Sequence, residues 1–342
     1  MTRALPLLLL PYLHHRPVVA DVPVGGAGAA IIGRATLGQG VRLGALAVIR
    51  ADGMPITVGD DFWMGARATL HIAHGLLPTV VGSGVTVGTN AVVHACTVGN
   101  GCVLEDNTVV LDGAVLGDGC VLAAGSVVFP RAELPPDHYC EGSPAKPVRP
   151  LTPEQLAAAR ARLRGLALAN RETSMRAWAP LQGGTNYVAP TADLRGNITL
   201  GDNASVWFGC ELQAVTHPIS VGTNTNIQDN TVITSAEGAV QIGADVTVGH
   251  NVLIQSARIG DRTLIGIGSV LAPGTVVEDD VLLAAGAVTL PGQHLTAGSL
   301  WAGRPARRLA PLDDAKRQVV AYGAKHYVDY NRDYLGEEAP SP

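Results

Sequence analysis

One period constrains this chain more than any other feature: an aliphatic residue recurs at every sixth position. Val98, Leu104, Val110, Leu116, Leu122 and Val128 form one such comb, and Ile259, Ile265, Leu271, Val277 and Leu283 form a second. Shorter pieces keep the step: Ile31, Leu37, Leu43, Ile49; Val58, Met64, Leu70; Leu194, Leu200, Val206, Leu212; and Val221, Ile227, Ile233. Neither the 3.6-residue helical period nor two-residue strand alternation produces a strict six. A six-residue unit is a short strand plus a corner, and three units close a coil of about 18 residues, as in hexapeptide β-helices. Glycine often follows the aliphatic residue, as in Val58-Gly59, Val98-Gly99, Leu116-Gly117, Val221-Gly222, Ile242-Gly243 and Ile259-Gly260. That placement predicts corners at which glycine supplies positive φ. Stacked coils add parallel strands about 4.8 Å apart, so the expected fold class is an all-β solenoid of parallel β-helix type.

Composition agrees with such thin packing. With 41 Gly and 4% aromatic residues in 342, the core must be built from small aliphatic side chains. A net charge of −5 argues against a nucleic-acid partner, which would require a basic face. No apolar run approaches the ~20 residues of a membrane span. The first apolar run is broken by Pro6 and Pro11 and followed by His14-His15-Arg16, so no signal peptide is expected. Cys96, Cys102, Cys120, Cys140 and Cys210 form no CxxC pair. They read as buried free thiols in a reducing compartment, with Cys102 and Cys120 an inert column one coil apart. The expected localisation is cytoplasmic, with neither nucleic acid nor membrane as partner.

A longer period overlies the short one. Val58-Gly59 matches Val221-Gly222 at an offset of 163, and Gly142-Ser-Pro-Ala-Lys146 matches Gly303-Arg-Pro-Ala-Arg307 at an offset of 161. The difference falls in the loop after His71. The chain therefore reads as a tandem duplication, with one domain over 1–176 and a second over 180–342, each a coil stack followed by a helix. The first helix is expected from Thr152-Pro153-Glu154 to about Met175, with Thr152 as cap and Pro153 in the first turn. The second is expected from near Asp313 and carries Tyr322, Tyr327, Tyr330 and Tyr334. A linker is expected at Ala179–Thr185, which contains Pro180, Gly183 and Gly184.

Each copy resembles a γ-class carbonic anhydrase-like protein over nearly its full length. The stretches that carry the resemblance in the first copy are Val48-Ile-Arg-Ala-Asp52, Val85-Thr-Val-Gly88 with Val93-His94-Ala-Cys96, Leu111-Asp-Gly-Ala114 and Gly142-Ser-Pro-Ala-Lys146. In the second they are Ser205-Val-Trp-Phe-Gly209, Asn226-Ile-Gln-Asp-Asn230, Thr247-Val-Gly-His-Asn251 and His326-Tyr-Val. The resemblance implies left-handed β-helices packed as trimers. It also implies a metal between adjacent subunits, held by three histidines, two from one subunit and one from its neighbour. Zinc is the first expectation, with iron or cobalt as alternatives.

The family places a first histidine after Asn-x-Gln-Asp-Asn-x-x-x, a second after Thr-x-Gly and a third five residues later. In the first copy these positions are His71, Thr89 and His94; in the second they are Thr234, His250 and Gln255. Neither copy alone has three. His71 and His94 occupy equivalent places on successive coils and so share one face, face A; positions five residues earlier lie around the corner on face B. In the first copy face B holds Ala66 and Thr89. In the second, face A holds Thr234 and Gln255, and face B holds Asp229 and His250. The family's Arg-x-Asp and Gln-Asp pairs divide the same way. Arg50 and Asp52 survive in the first copy opposite Gly65 and Ala66, whereas Gln228 and Asp229 survive in the second alongside Gln213 and Val215. Each copy has thus kept one half of a site.

An interface joining face A of the first copy to face B of the second would hold His71, His94 and His250. Three imidazoles suit tetrahedral zinc with an open position for water. The expected activity is hydration of CO2 to bicarbonate, with Gln228 orienting the hydroxide and Arg50, Asp229 and Asp52 bridging the interface. His74 is the candidate proton shuttle; residues 72–79 contain no acid, where the active prototype of the family uses a loop glutamate. The expected assembly is a homo-oligomer with trimer-like packing of the domains. Two other readings stay open: a metal-free, inactive hexapeptide scaffold, and a hexapeptide acyltransferase with His71 or His94 as general base.

Overall fold

The computed structural model describes residues 6–169 and 185–336. The chain divides into two compact units, Met1–Ala177 and Trp178–Pro342, and each is a solenoid of short parallel strands. In the first unit the 11-residue strand Val48–Val58 pairs with Thr69–His71 through one end and with Thr79–Val81 through the other. It thereby joins two faces into a single 12-stranded sheet, and an 8-stranded sheet forms the third face. The second unit repeats the device: Glu211–Val221 pairs with both Val232–Thr234 and Val240–Ile242 in a 9-stranded sheet.

The comb is the core. Leu104 sits opposite Leu122, Val110 opposite Val128, and Val98 between Val81 and Leu116. Every comb residue of both units is buried except Leu200, which is half-buried. Each such burial contributes roughly 1.5–3 kcal/mol, repeated coil after coil, which is how a core almost without aromatics stays stable.

The glycines after the comb residues act differently from the sequence expectation. Gly59, Gly99, Gly117, Gly222, Gly243 and Gly260 are not the positions with positive φ. Positive φ falls two residues later, at Asp61, Gly101, Gly119, Asn224, Asp245 and Arg262. What requires glycine at the first position is the next coil. A Cβ on Gly99 would lie 2.5 Å from Asp118 Oδ1 and 2.7 Å from its backbone nitrogen, and that same Oδ1 accepts the Asn100 N–H at 2.7 Å. The corner is thus stapled by a side chain of the coil above, in space a methyl group would fill. Gly84, by contrast, has φ +69° and nothing closer than 3.8 Å. Gly99→Asn should therefore cost at least 1–3 kcal/mol, the range typical of overpacking. Gly84→Asn should be nearly neutral, because asparagine tolerates the left-handed region. Urea midpoints of the two variants check this, and equal losses would refute the distinction.

Helix α1 (Pro153–Ala169) follows the first stack and α2 (Asp314–Leu335) the second. Thr152 and Gln155 form a reciprocal capping box: Thr152 Oγ1 accepts from Gln155 N, and Gln155 Oε1 accepts from Thr152 N. Continuation of α1 to Met175, and the linker up to Gly184, lie outside the described residues. Asp313 caps α2 by accepting the Lys316 N–H, and Gly336 ends it at φ 74°. The tyrosines of α2 dock on buried Trp207, with ring centroids at 5.1 Å for Tyr327, 5.9 Å for Tyr330 and 5.0 Å for Tyr334. Tyr322 is exposed and stacks on His326 instead.

All five cysteines are buried and free. Burial pushes the Cys102 thiol up from 9.0 to about 12, so it is neutral at physiological pH. Cys120 approaches Cys140, with the sulfurs 3.7 Å apart. The column read from Cys102 and Cys120 alone therefore continues to a third thiol. Among the described residues no helix is long and apolar enough to cross a membrane.

Candidate functional site

In the first unit the comb breaks step three times, after Ile49, after Leu70 and after Val93, and the candidate residues sit at the breaks. Arg50 and Asp52 lie on the strand that runs through a corner, and His71 ends the strand of the next coil. His94 is paired with His71 in register on the coil above. Thr79 Oγ1 donates to the His71 carbonyl, which fixes the backbone where the loop rejoins the stack.

Five side chains then form a continuous chain of four contacts. Arg50 Nη1 donates to Asp52 Oδ2, and both groups are fully buried. Asp52 Oδ1 lies 3.0 Å from His71 Nε2. His71 Nδ1 lies 3.3 Å from His94 Nε2, and His94 Nδ1 lies 2.6 Å from Asp112 Oδ1. A carboxylate can only accept, and a neutral imidazole carries a single N–H. The hydrogen-bond network therefore assigns the hydrogens to His71 Nε2 and His94 Nδ1. The nitrogens that face each other, His71 Nδ1 and His94 Nε2, then both present lone pairs. Two acceptors at 3.3 Å repel unless a cation or proton lies between them. Two nitrogens at 2.0–2.1 Å from a tetrahedral zinc are about 3.3–3.4 Å apart, so the pair is spaced as two ligands of one ion.

His74 Nδ1 lies 3.2 Å from the Asp52 carbonyl oxygen. A Cβ on Gly53 would lie 2.6 Å from that nitrogen, so the glycine makes room for the ring. The candidate shuttle is thus tied to the backbone of the strand that carries Asp52. On face B of this unit Ala66 and Thr89 offer no ligand nitrogen.

The second unit holds the other set. The strands Asn226–Ile227 and Thr247–Val248 are in register, which stacks His250 on Asp229, with His250 Nδ1 3.2 Å from Asp229 Oδ2. Both are fully buried. Asp229 Oδ1 accepts the Phe208 N–H at 3.0 Å, which anchors the carboxylate to the coil below. The ring nitrogen of His250 away from the carboxylate is Nε2. Gln228 Nε2 donates to Asn226 Oδ1 at 3.1 Å, which fixes the orientation of the Gln228 amide. Face A of this unit is a neutral column, Gln213–Thr234–Gln255, in register across three strands. Where the first unit has buried Asp52, this one has Val215, 79% exposed.

Within each unit the structure brings the predicted residues together: Arg50, Asp52, His71, His74 and His94 in one, and Gln228, Asp229 and His250 in the other. Arg50 is bonded to Asp52 of its own unit, a pairing the sequence reading gave only a secondary place. Two residues were missed as members of the site. Asn226 holds Gln228, and Asp112 holds His94. Asp112 lies 18 residues after His94, one coil on, so the coil length already placed it over the histidine.

Comparison with known proteins follows the same lines. Residues 95–130 match the family model "Bacterial transferase hexapeptide (six repeats)", and residues 55–95 and 256–289 match "Hexapeptide repeat of succinyl-transferase". "Gamma carbonic anhydrase 2, mitochondrial" of Arabidopsis thaliana is 34% identical over 170 residues, covering 48% of this chain and 61% of that protein. A "Probable carbonic anhydrase" of Methanocaldococcus jannaschii is 32% identical over 142 residues, 41% of this chain and 89% of that protein. This chain belongs to the γ-carbonic anhydrase-like family of hexapeptide-repeat proteins. It is a tandem-duplicated member, and it spans 61% of the length of the Arabidopsis relative. A hexapeptide transferase family protein from Anaplasma phagocytophilum, of known structure, is 34% identical over 44% of this chain and 93% of its own, with a TM-score of 0.40.

Proposed function

We propose that face A of the first unit and face B of the second build one metal centre from His71, His94 and His250, and that this centre hydrates CO2 to bicarbonate. The observation that carries the reading is the pair of imidazole lone pairs converging at 3.3 Å in the first unit. The clean division of the remaining residues supports it: every residue kept by one copy belongs to the half the other has lost. Independent decay of two spare sites has no reason to divide them so.

When bound, zinc or iron supplies a nucleophile at neutral pH by lowering the pKa of its water to about 7. The protein's own groups do the rest. Asp52 fixes the tautomer of His71, and the Asp229 carboxylate lies beside the His250 ring. Gln228, its amide nitrogen committed to Asn226, turns its carbonyl oxygen to accept a hydrogen bond from the reacting water. Arg50 bridges Asp52 and Asp229 and sets the register of the interface. His74 moves protons between site and solvent, a task for which an imidazole is the side chain of choice. The assembly is a homo-oligomer with trimer-like packing of the domains in the cytoplasm. The reciprocal interface, with Thr234 and Gln255 opposite Ala66 and Thr89, binds no metal.

Metal analysis of protein purified without chelators, paired with a stopped-flow CO2 hydration assay, tests the reading. One zinc or iron per complete site is expected, with hydration lost on chelation and regained on adding zinc. Protein that neither carries nor takes up stoichiometric metal would instead be the inactive scaffold.

A further inference from the structure

We propose that Asp112 is a positioning residue of this metal centre, acting through His94; the proposal rests on the shared-site reading above. The starting point is what two histidines in a ladder would do without help. His71 and His94 are paired across adjacent parallel strands, and such strands stack about 4.8 Å apart. Identical side chains in that arrangement, with the same tautomer, would point like nitrogens side by side. The structure shows something else. The ring planes are tilted by 56° with centroids 5.3 Å apart, and unlike nitrogens converge, Nδ1 of one on Nε2 of the other, at 3.3 Å.

The carboxylates account for this. Asp52 is one coil before His71, and takes that ring by Nε2 at 3.0 Å. Asp112 is one coil after His94, and takes that ring by Nδ1 at 2.6 Å. The two rings are anchored from opposite ends of the stack and by opposite nitrogens, so their lone pairs meet. Removing Asp112 withdraws the acceptor that holds the His94 hydrogen on Nδ1, and only that tautomer presents Nε2 as a ligand. A carboxylate behind a ligand histidine also raises the basicity of the coordinating nitrogen.

Two further observations point the same way. By the offset of 161, Asp112-Gly113 corresponds to Pro273-Gly274 in the second copy, and both glycines have positive φ, 71° and 76°. Proline has no side-chain acceptor. Asp112 has thus been lost from the copy whose matching histidine position is Gln255, and kept in the copy that has His94. Asp112 is also 44% exposed in its side chain. A contact that open contributes little to folding even between charged groups, so the fold does not explain a short bond at this place.

The test is Asp112→Ala beside Asp112→Asn, read by zinc affinity in competition with a chromophoric chelator and by 15N shifts of His94 in metal-free protein. Asp112→Ala should weaken zinc binding 10–100-fold, the loss typical of such outer partners. It should leave the melting temperature unchanged and replace the single Nδ1–H tautomer of His94 by a mixture. Asp112→Asn keeps an acceptor oxygen and should recover part of the affinity. Wild-type zinc affinity in the alanine variant, with His94 still held as the Nδ1–H tautomer, would overturn the proposal. Wild-type protein that binds no zinc would sink the shared centre instead, and the tautomer readout would still decide the role of Asp112.

Discussion

Replacing His250 with alanine should empty the metal centre as completely as replacing His94, although the two residues belong to different copies of the repeat. Structural zinc is held by an apparent 10–16 kcal/mol. One of three imidazoles then accounts for roughly a third of that, about 3–5 kcal/mol, or a factor of about 10²–10⁴ in affinity. The measurement is metal content after dialysis, with His217→Ala and His294→Ala as controls. His217 Nδ1 lies against the Ser235 carbonyl and His294 pairs with Glu278, and neither belongs to the candidate sets, so neither control should lose metal. The converse substitution is equally informative. Gln255→His puts an imidazole back on face A of the second unit, yet it should add no second metal. That position has Thr234 beside it in register, Val215 where Asp52 would be and Pro273 where Asp112 would be. If His250→Ala keeps its full metal content, the two half-sites do not cooperate and the centre proposed above does not exist.

The comb residues made the solenoid legible from sequence, because a six-residue period has few physical solutions and the aliphatic residue must point inward in all of them. The half-sites were legible for a related reason. Once the coil length is known, residues 71 and 94 must share a face, and the surviving residues sort themselves by face. Glycine misled, because two causes leave the same residue in a sequence. Gly101 serves the backbone angle of a corner, whereas Gly99 serves the close approach of the next coil, and only coordinates separate them. Asp112 was missed because its function is a single hydrogen bond to the far side of a ring. Sequence shows residue types and spacing, not which of two nitrogens a carboxylate takes. The long strands Val48–Val58 and Glu211–Val221 were hidden for another reason: each corner is crossed without a turn, so the comb simply falls out of step there. Those lapses are themselves a signal, since Arg50, Asp52, His71 and His74 all fall where the six-residue step fails.

Arg50 offers the second large effect. Its guanidinium is fully buried against Asp52, and Asp52 holds His71 with its other oxygen. Arg50→Met removes the cation and leaves the carboxylate in place. Breaking a buried pair this way typically costs 3–5 kcal/mol, because the remaining charge is no longer compensated. The urea midpoint should fall accordingly, and a loss below about 1 kcal/mol would mean that Asp52 is stabilised by other groups. Replacing both partners with apolar residues separates folding from function. An apolar pair of similar volume is often neutral or stabilising relative to a buried ion pair, so Arg50→Met/Asp52→Leu should recover most of the lost stability. It should not recover the metal. Without Asp52 nothing in the first unit's carboxylate–imidazole chain holds the hydrogen of His71 on Nε2, and the lone pair that must face His94 is no longer assigned to Nδ1. A double variant that folds like the wild type and binds zinc poorly would show that this buried charge is kept for the histidine it orients rather than for the fold.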